Sequence, residues 1–253
     1  MKIDLSGRLA VVTGASGDLG RVMARTLAEC GADVALTYFQ NQGGAERVSQ
    51  EIAAGGRRAR AFFTDVTLAE SVRALKDAVH AWHGDPHIIV NNAVVQYRWT
   101  SVLEQPLADY ESQFRSCVLH NVHMTKAFVP AMIKRRWGRV IAINTECAMQ
   151  NAVSQSAYVA GKRGMDGVLR VLAKEVGQHQ ITVNQVAPGW TISARDRASG
   201  GERQPKYERS VPLGRRGSDQ EVANVVAFLA SDLASFITGA YVPVCGGNVM
   251  PAI

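Results

Sequence analysis

The sequence predicts one α/β domain over residues 1–253, a doubly wound parallel β-sheet with helices on both faces. Short, nearly continuous apolar runs alternate with longer segments of helical period, and 253 residues with 47% hydrophobic side chains suffice for one large core. The runs are LAVVTG from Leu9, DVALTY from Asp33, ARAFFTD from Ala59, HIIVNNA from His87, RVIAINT from Arg139, ITVNQVAPG from Ile181 and AYVPV from Ala240. A run without polar alternation reads as a strand covered on both faces. Between the runs, Leu68, Val72, Leu75, Val79 and Trp82 mark one helical face behind a Thr67 and Glu70 capping box. Ser218 and Glu221 repeat that device before Val222, Val225, Val226 and Leu229. Such alternation gives right-handed crossovers, with ligands at the carboxyl ends of the strands. Pro188 to Gly217 is the one long irregular stretch, and it reads as a substrate lid over about 190–217.

Composition excludes several classes. A charged fraction of 20% with 23 glycines suits a globular chain rather than a disordered one. Cys30, Cys117, Cys147 and Cys245 lie far apart with neither disulfide nor metal-ligand spacing, which points to the reducing cytoplasm. The first apolar stretch, interrupted by Gly14 and Asp18, is too short for a signal peptide, and no run reaches membrane-spanning length. A net charge of +6 spread over scattered basic residues, without an arginine-rich arm, does not read as a nucleic-acid surface. His80, His83 and His87 lack a supporting carboxylate and read as surface histidines, so no metal is expected. His120 and His123 read as packing residues on the helix that carries Cys117.

Two segments carry chemistry. The first strand runs into Thr13-Gly14-Ala15-Ser16-Gly17-Asp18-Leu19-Gly20, a glycine-rich turn before a helix, where backbone N–H groups and the helix dipole meet a pyrophosphate. Tyr158 and Lys162 open a later helix, one turn apart on the same face. An ammonium close to a phenol favours the phenolate and lowers its pKa from about 10.

Taken in order, Thr13-Gly14 with Gly20, Asp65-Val66, Asn91-Asn92-Ala93, Tyr158 with Lys162, Asn184, Pro188-Gly189, Ile237-Thr238-Gly239 and Gly246-Gly247 resemble the short-chain dehydrogenase/reductase family over essentially the whole chain. The resemblance implies a single-domain Rossmann fold and hydride transfer between NAD(P)(H) and a carbonyl or alcohol carbon. It implies that Tyr158 is the acid in carbonyl reduction and the base in reverse, while Lys162 holds the nicotinamide ribose and depresses the Tyr158 pKa. Gly14, Ser16, Gly17, Asp18, Leu19, Gly20 and Tyr38 fall in the implied cofactor site. Asp65 and Val66 would contact the adenine, Asn91 and Ala93 the groove, and Pro188, Gly189 and Thr191 the nicotinamide side. A homodimer or homotetramer is implied, through helices around Leu107 to Arg135 and Ala157 to Val176.

Four positions depart from that pattern. Cys117 stands where the family has a catalytic asparagine, and a thiol is a poor substitute for an amide in a water-held proton relay. Thr145 stands for the catalytic serine and keeps its hydroxyl. Val94 replaces a glycine. Asp18 replaces the glycine nearest the pyrophosphate, a cost that is small if its carboxylate faces solvent. The end of the second strand, Thr37-Tyr38-Phe39-Gln40-Asn41, carries no acid, which favours NADP(H) over NAD(H). Arg98, Glu146 and Trp190 are the expected substrate contacts. In the lid Arg195, Arg197, Arg203, Lys206 and Arg209 outnumber Asp196, Glu202 and Glu208, which suggests an anionic or carrier-linked substrate anchored by Arg98. The departures keep two alternatives open: a non-redox isomerase or lyase, and a catalytically impaired dinucleotide-binding protein.

Overall fold

A computed structural model describes residues 2–251. All seven predicted strands form: β1 (Leu9–Val12), β2 (Asp33–Tyr38), β3 (Ala59–Phe63), β4 (Ile88–Asn91), β5 (Gly138–Ile143), β6 (Ile181–Pro188) and β7 (Tyr241–Val244). They make one parallel sheet in the order β3-β2-β1-β4-β5-β6-β7. Strand order reverses between β1 and β4, so the chain leaves these two strands in opposite directions and opens a crevice at their carboxyl ends.

The helices are α1 (Asp18–Glu29), α2 (Gln42–Ala54), α3 (Ala69–His83), α4 (Leu107–Gln113), α5 (His120–Arg135), α6 (Cys147–Gln150), α7 (Ser156–Val176), α8 (Ala194–Ser199), α9 (Pro205–Glu208) and α10 (Asp219–Ala230). Successive strand residues point to opposite faces, and two apolar cores result. On one face Val12, Leu36 and Ile141 pack with Met23 and Leu27 of α1 and with Val222 and Val226 of α10. On the other, Val11, Ile89 and Val140 pack with Leu75 of α3, Met124 and Phe128 of α5, and Met165 and Leu169 of α7.

Several local expectations are corrected. The edge strands β3 and β7 are largely only half-buried, because an edge lacks the second neighbour that shields the interior strands. Thr67 and Glu70 do not form a capping box: α3 begins after Leu68, and the Thr67 hydroxyl and N–H instead donate to Asp65 Oδ1 at 2.6 and 2.9 Å. The box at Ser218 and Glu221 does form. The supposed irregular stretch holds α8 and α9, the first opened by a Ser193 and Asp196 capping box. Part of its charge is spent on ion pairs, Arg197 with Asp219, Arg203 with Glu208 and Arg216 with Asp196, while Arg195, Lys206 and Arg209 have no ion pair among the described residues. Among the described residues, no helix is long and apolar enough to cross a membrane.

Candidate active site

The turn after β1 is built to leave room. Gly14 has φ +63, and a Cβ on Gly20 would strike the Gly14 carbonyl oxygen and stand 2.9 Å from both Ala15 Cα and Asn92 Nδ2. Helix α1 starts on Gly17 without a side-chain cap, so its first N–H groups stay available to an anion. Ser16 sits on this turn and Leu19 on the first turn of α1. Thr13 ties it to β4: its hydroxyl accepts from the N–H groups of Asn92 and Ala93 at 2.8 and 3.1 Å. Asp18 turns outward and pairs with Arg21 at 3.0 Å, so its carboxylate is screened. At the end of β4 the Asn91 side chain donates to Asn121 Oδ1, and its own Oδ1 is buried without a partner. Cradle, bare helix terminus and orphaned acceptor together fit a dinucleotide.

Beside the turn, a cavity of about 350 Å³ is lined by Gly14, Tyr38, Phe39, Asp65, Val66, Ala93, Val94 and Arg115, among others. Val94 thus forms part of the groove wall. Arg115, which the sequence reading missed, is the sole cationic side chain among the described residues lining this cavity. Its distance from β2 along the chain hid it.

The chemical groups meet at the mouth of β5. Thr145 is buried, and its hydroxyl accepts the Cys147 N–H at 3.2 Å. Tyr158 lies on the first turn of α7, its N–H donating to the Tyr97 hydroxyl at 2.7 Å and its ring 6.0 Å from that of Trp99 at 25°. Lys162, one turn on, is buried with Nζ donating to the Ile143 carbonyl at 2.6 Å and standing 5.7 Å from the Tyr158 ring centre. The expected depression of the Tyr158 pKa is not found. Burial pushes the phenol up, the Cys147 and Cys117 thiols push the same way, and the Thr145 hydroxyl opposes them. Burial in turn holds the Lys162 ammonium below its ordinary range. Both shifts have one origin, the cost of charge out of water.

A six-residue π-helical turn, Phe114–Leu119, links α4 to α5 and places Cys117. Such a turn leaves carbonyls without helical partners. The Cys117 carbonyl is taken by the Asn121 amide at 2.7 Å, whose oxygen accepts from Asn91 at 2.7 Å. Asn121, one helical turn beyond Cys117, therefore supplies an amide to this corner. The signal was its position four residues after Cys117. His120 is buried, and burial pushes its pKa down to about 3, as expected of a packed neutral imidazole. For Cys117→Asn we expect equal or higher turnover in a cofactor-absorbance assay, since an amide returns beside Lys162; a sharp loss would assign the thiol a specific role.

A second cavity, about 490 Å³, opens over Thr145 and Tyr158. Its walls include Tyr97, Trp99, Glu146, Cys147, Gln150, Gln155, Gly189, Trp190 and Tyr207. Glu146 is buried and joins three segments: Tyr207 of α9 donates to Oε1 at 2.8 Å and Asn248 donates to Oε2 at 3.1 Å. Burial raises its pKa. Pro188 accepts the Glu146 N–H at 2.9 Å, and the Thr191 hydroxyl donates to the Gly189 carbonyl at 3.1 Å, which fixes the loop above. Arg98 is exposed and lies outside the residues lining this cavity. Asn184 holds the neighbouring loop, donating to the Ile237 carbonyl at 2.7 Å, and is structural. His80 and His83 turn to Asp85 and Asp33 respectively, and among the described residues no three potential ligands gather around a metal position.

The family described as Enoyl-(Acyl carrier protein) reductase matches residues 14–248. A 3-oxoacyl-(acyl-carrier-protein) reductase of Pseudomonas aeruginosa is 36% identical over 249 residues, covering 98% of this chain and 100% of its own. The enzyme of the same description from Aquifex aeolicus is 35% identical over 248 residues, covering 98% of this chain and 99% of its own. Among solved structures, a blue fluorescent protein from a metagenomic library in complex with NADPH superposes with a TM-score of 0.89 at 31% identity, covering 98% of this chain and 100% of that one.

Proposed function

Because the chain belongs to the short-chain dehydrogenase/reductase family, we propose that it is an NADP(H)-dependent oxidoreductase acting on a carbonyl or alcohol carbon of a small molecule. The observation that carries this reading is the meeting of Thr145, Tyr158 and Lys162 where the dinucleotide groove joins the second cavity. NADP(H), when bound, supplies or accepts the hydride. In reduction the Thr145 and Tyr158 hydroxyls polarise the carbonyl oxygen, and Tyr158 gives up its proton as the alkoxide forms. Burial makes the phenol a weaker acid, so its proton transfer relies on the neighbouring Lys162 charge to stabilise the phenolate. Lys162 holds positive charge beside the phenolate left behind and has two further N–H donors for ribose hydroxyls. Trp99 and Trp190 cover the reacting centre against water.

A ketone and alcohol panel assayed with NADPH and NADH tests the reading; cofactor binding with no turnover of any member would overturn it. Arg115 is proposed as the contact for the extra phosphate of NADP(H). Arg115→Ala should lower the preference for NADPH over NADH roughly tenfold, the factor set by about 1.4 kcal/mol. An unchanged ratio of kcat/KM values would remove Arg115 from that role.

A carrier-linked substrate, as in the names of the relatives, is the second reading, favoured by the exposed Arg98 outside the cavity mouth, where an acidic carrier would pass. Arg98→Ala should then raise KM for a carrier-linked substrate in a salt-dependent way. A homodimer or homotetramer is proposed through α5 and α7, whose shared groove exposes Val171 and is lined by Val122, Val168 and Leu172. Sedimentation showing a monomer at micromolar concentration would contradict it. The cytoplasm, expected from the scattered thiols, is the proposed setting.

A further inference from the structure

The cavity over Tyr158 has a chemistry of its own. No lysine, arginine or histidine is among the described residues lining it, and Glu146 is the one carboxylate there. An anionic group next to the reacting carbon would therefore meet no cation and one like charge. Acceptors, in contrast, are in surplus. Glu146 takes hydrogen bonds from Tyr207 and Asn248, with the Trp190 backbone N–H also directed at it, and a carboxylate with about four acceptor positions keeps room for a further donor. Gln155 Oε1 is buried without any partner, its nearby thiol at Cys147 being a weak donor. A buried acceptor left unpaired is costly, and a ligand hydroxyl relieves that cost. Gln150 and Gln155 both donate and accept, which matches a hydroxyl, itself donor and acceptor. Trp99 and Trp190, 45% and 50% exposed, present flat apolar rings on the same cavity. Trp190 is held edge-on to Tyr207, with ring centres 5.6 Å apart.

Aromatic faces for C–H groups, combined with carboxylate and amide oxygens for O–H groups, define a ligand with an apolar face and a hydroxylated edge. We propose that the substrate is a neutral polyhydroxylated carbonyl compound or its alcohol, of the sugar and polyol class, with Glu146 and Gln155 binding hydroxyls adjacent to the reacting carbon. The inference rests on the oxidoreductase reading and names the substrate class of that same site.

The test uses the full chain with NADP+ and four alcohols: xylitol, D-sorbitol, 1-phenylethanol and the N-acetylcysteamine thioester of 3-hydroxybutyrate, with choline as a cationic control. The polyols should exceed the others in kcat/KM by about tenfold or more, as one or two extra hydrogen bonds allow. Glu146→Gln and Gln155→Met should each raise the polyol KM several-fold, with the smaller loss in kcat; Gln155→Met serves if Glu146→Gln loosens the lid. Turnover of the thioester, of 1-phenylethanol or of choline with polyols inert would overturn the polyol inference and leave the oxidoreductase reading standing. If no alcohol is oxidised although NADPH binds, the oxidoreductase reading falls, and quenching of tryptophan fluorescence then decides the inference alone. Saturable quenching by xylitol or sorbitol, lost in Gln155→Met, supports it, and no saturable quenching by either overturns it.

Discussion

Tyr158→Phe is expected to abolish at least ~99% of hydride transfer while leaving the fold intact, a loss within the range of general acid catalysis. The phenylalanine ring keeps the packing against Trp99, and the backbone N–H at position 158 still reaches the Tyr97 hydroxyl. What disappears is the proton. Without it the alkoxide formed by carbonyl reduction loses the donor placed for it, because the Thr145 hydroxyl is a far weaker acid than a phenol and the Lys162 ammonium is directed at the Ile143 carbonyl. Single-turnover absorbance measurements with saturating NADPH read the chemical step directly. Turnover near that of the unmodified enzyme would show that the oxygen receives its proton elsewhere.

For Thr145 the outcome depends on which atom is removed. Thr145→Ala should lose roughly two orders of magnitude in kcat, comparable to deletion of one donor to a developing oxyanion. Thr145→Ser should retain most activity, since the hydroxyl survives and only a methyl group goes. The Cys147 N–H, which donates to the Thr145 hydroxyl at 3.2 Å, loses its partner in the alanine variant. A melting curve beside the kinetics separates that local cost from the catalytic one. An alanine enzyme as active as the serine enzyme would mean that Tyr158 holds the carbonyl oxygen unaided.

The sheet was legible because interior strands of a parallel sheet are buried on both faces and so write unbroken apolar runs, from LAVV at Leu9 to ITVNQVAP at Ile181. The cofactor turn was legible for a similar reason, since crowding at Gly20 leaves no space for a side chain. Features set by competition between neighbours were not. Asp65 captured Thr67 before it could cap α3, and nothing in the run of residues announces which partner wins. The Asn121 amide reaches the Cys117 carbonyl only because a widened helical turn brings them together. The direction of the Tyr158 shift was misread because the spacing of Tyr158 and Lys162 reports proximity and is silent on burial, which prevails here. Of the lid charges counted as a surplus, Arg197 and Arg203 turned out to be matched, the former by a residue as distant as Asp219, while Arg195, Lys206 and Arg209 have no ion pair among the described residues.

The bond from Asn248 to Glu146 sets an order of events during synthesis. A chain leaving the ribosome builds from its N-terminal side, so the β1 turn, Thr145 and α7 emerge well before residue 248. At that stage β7 has yet to pair with β6 and Glu146 has yet to receive its second donor. Glu146 thus receives its full set of donors only once residue 248, beyond β7, is in place.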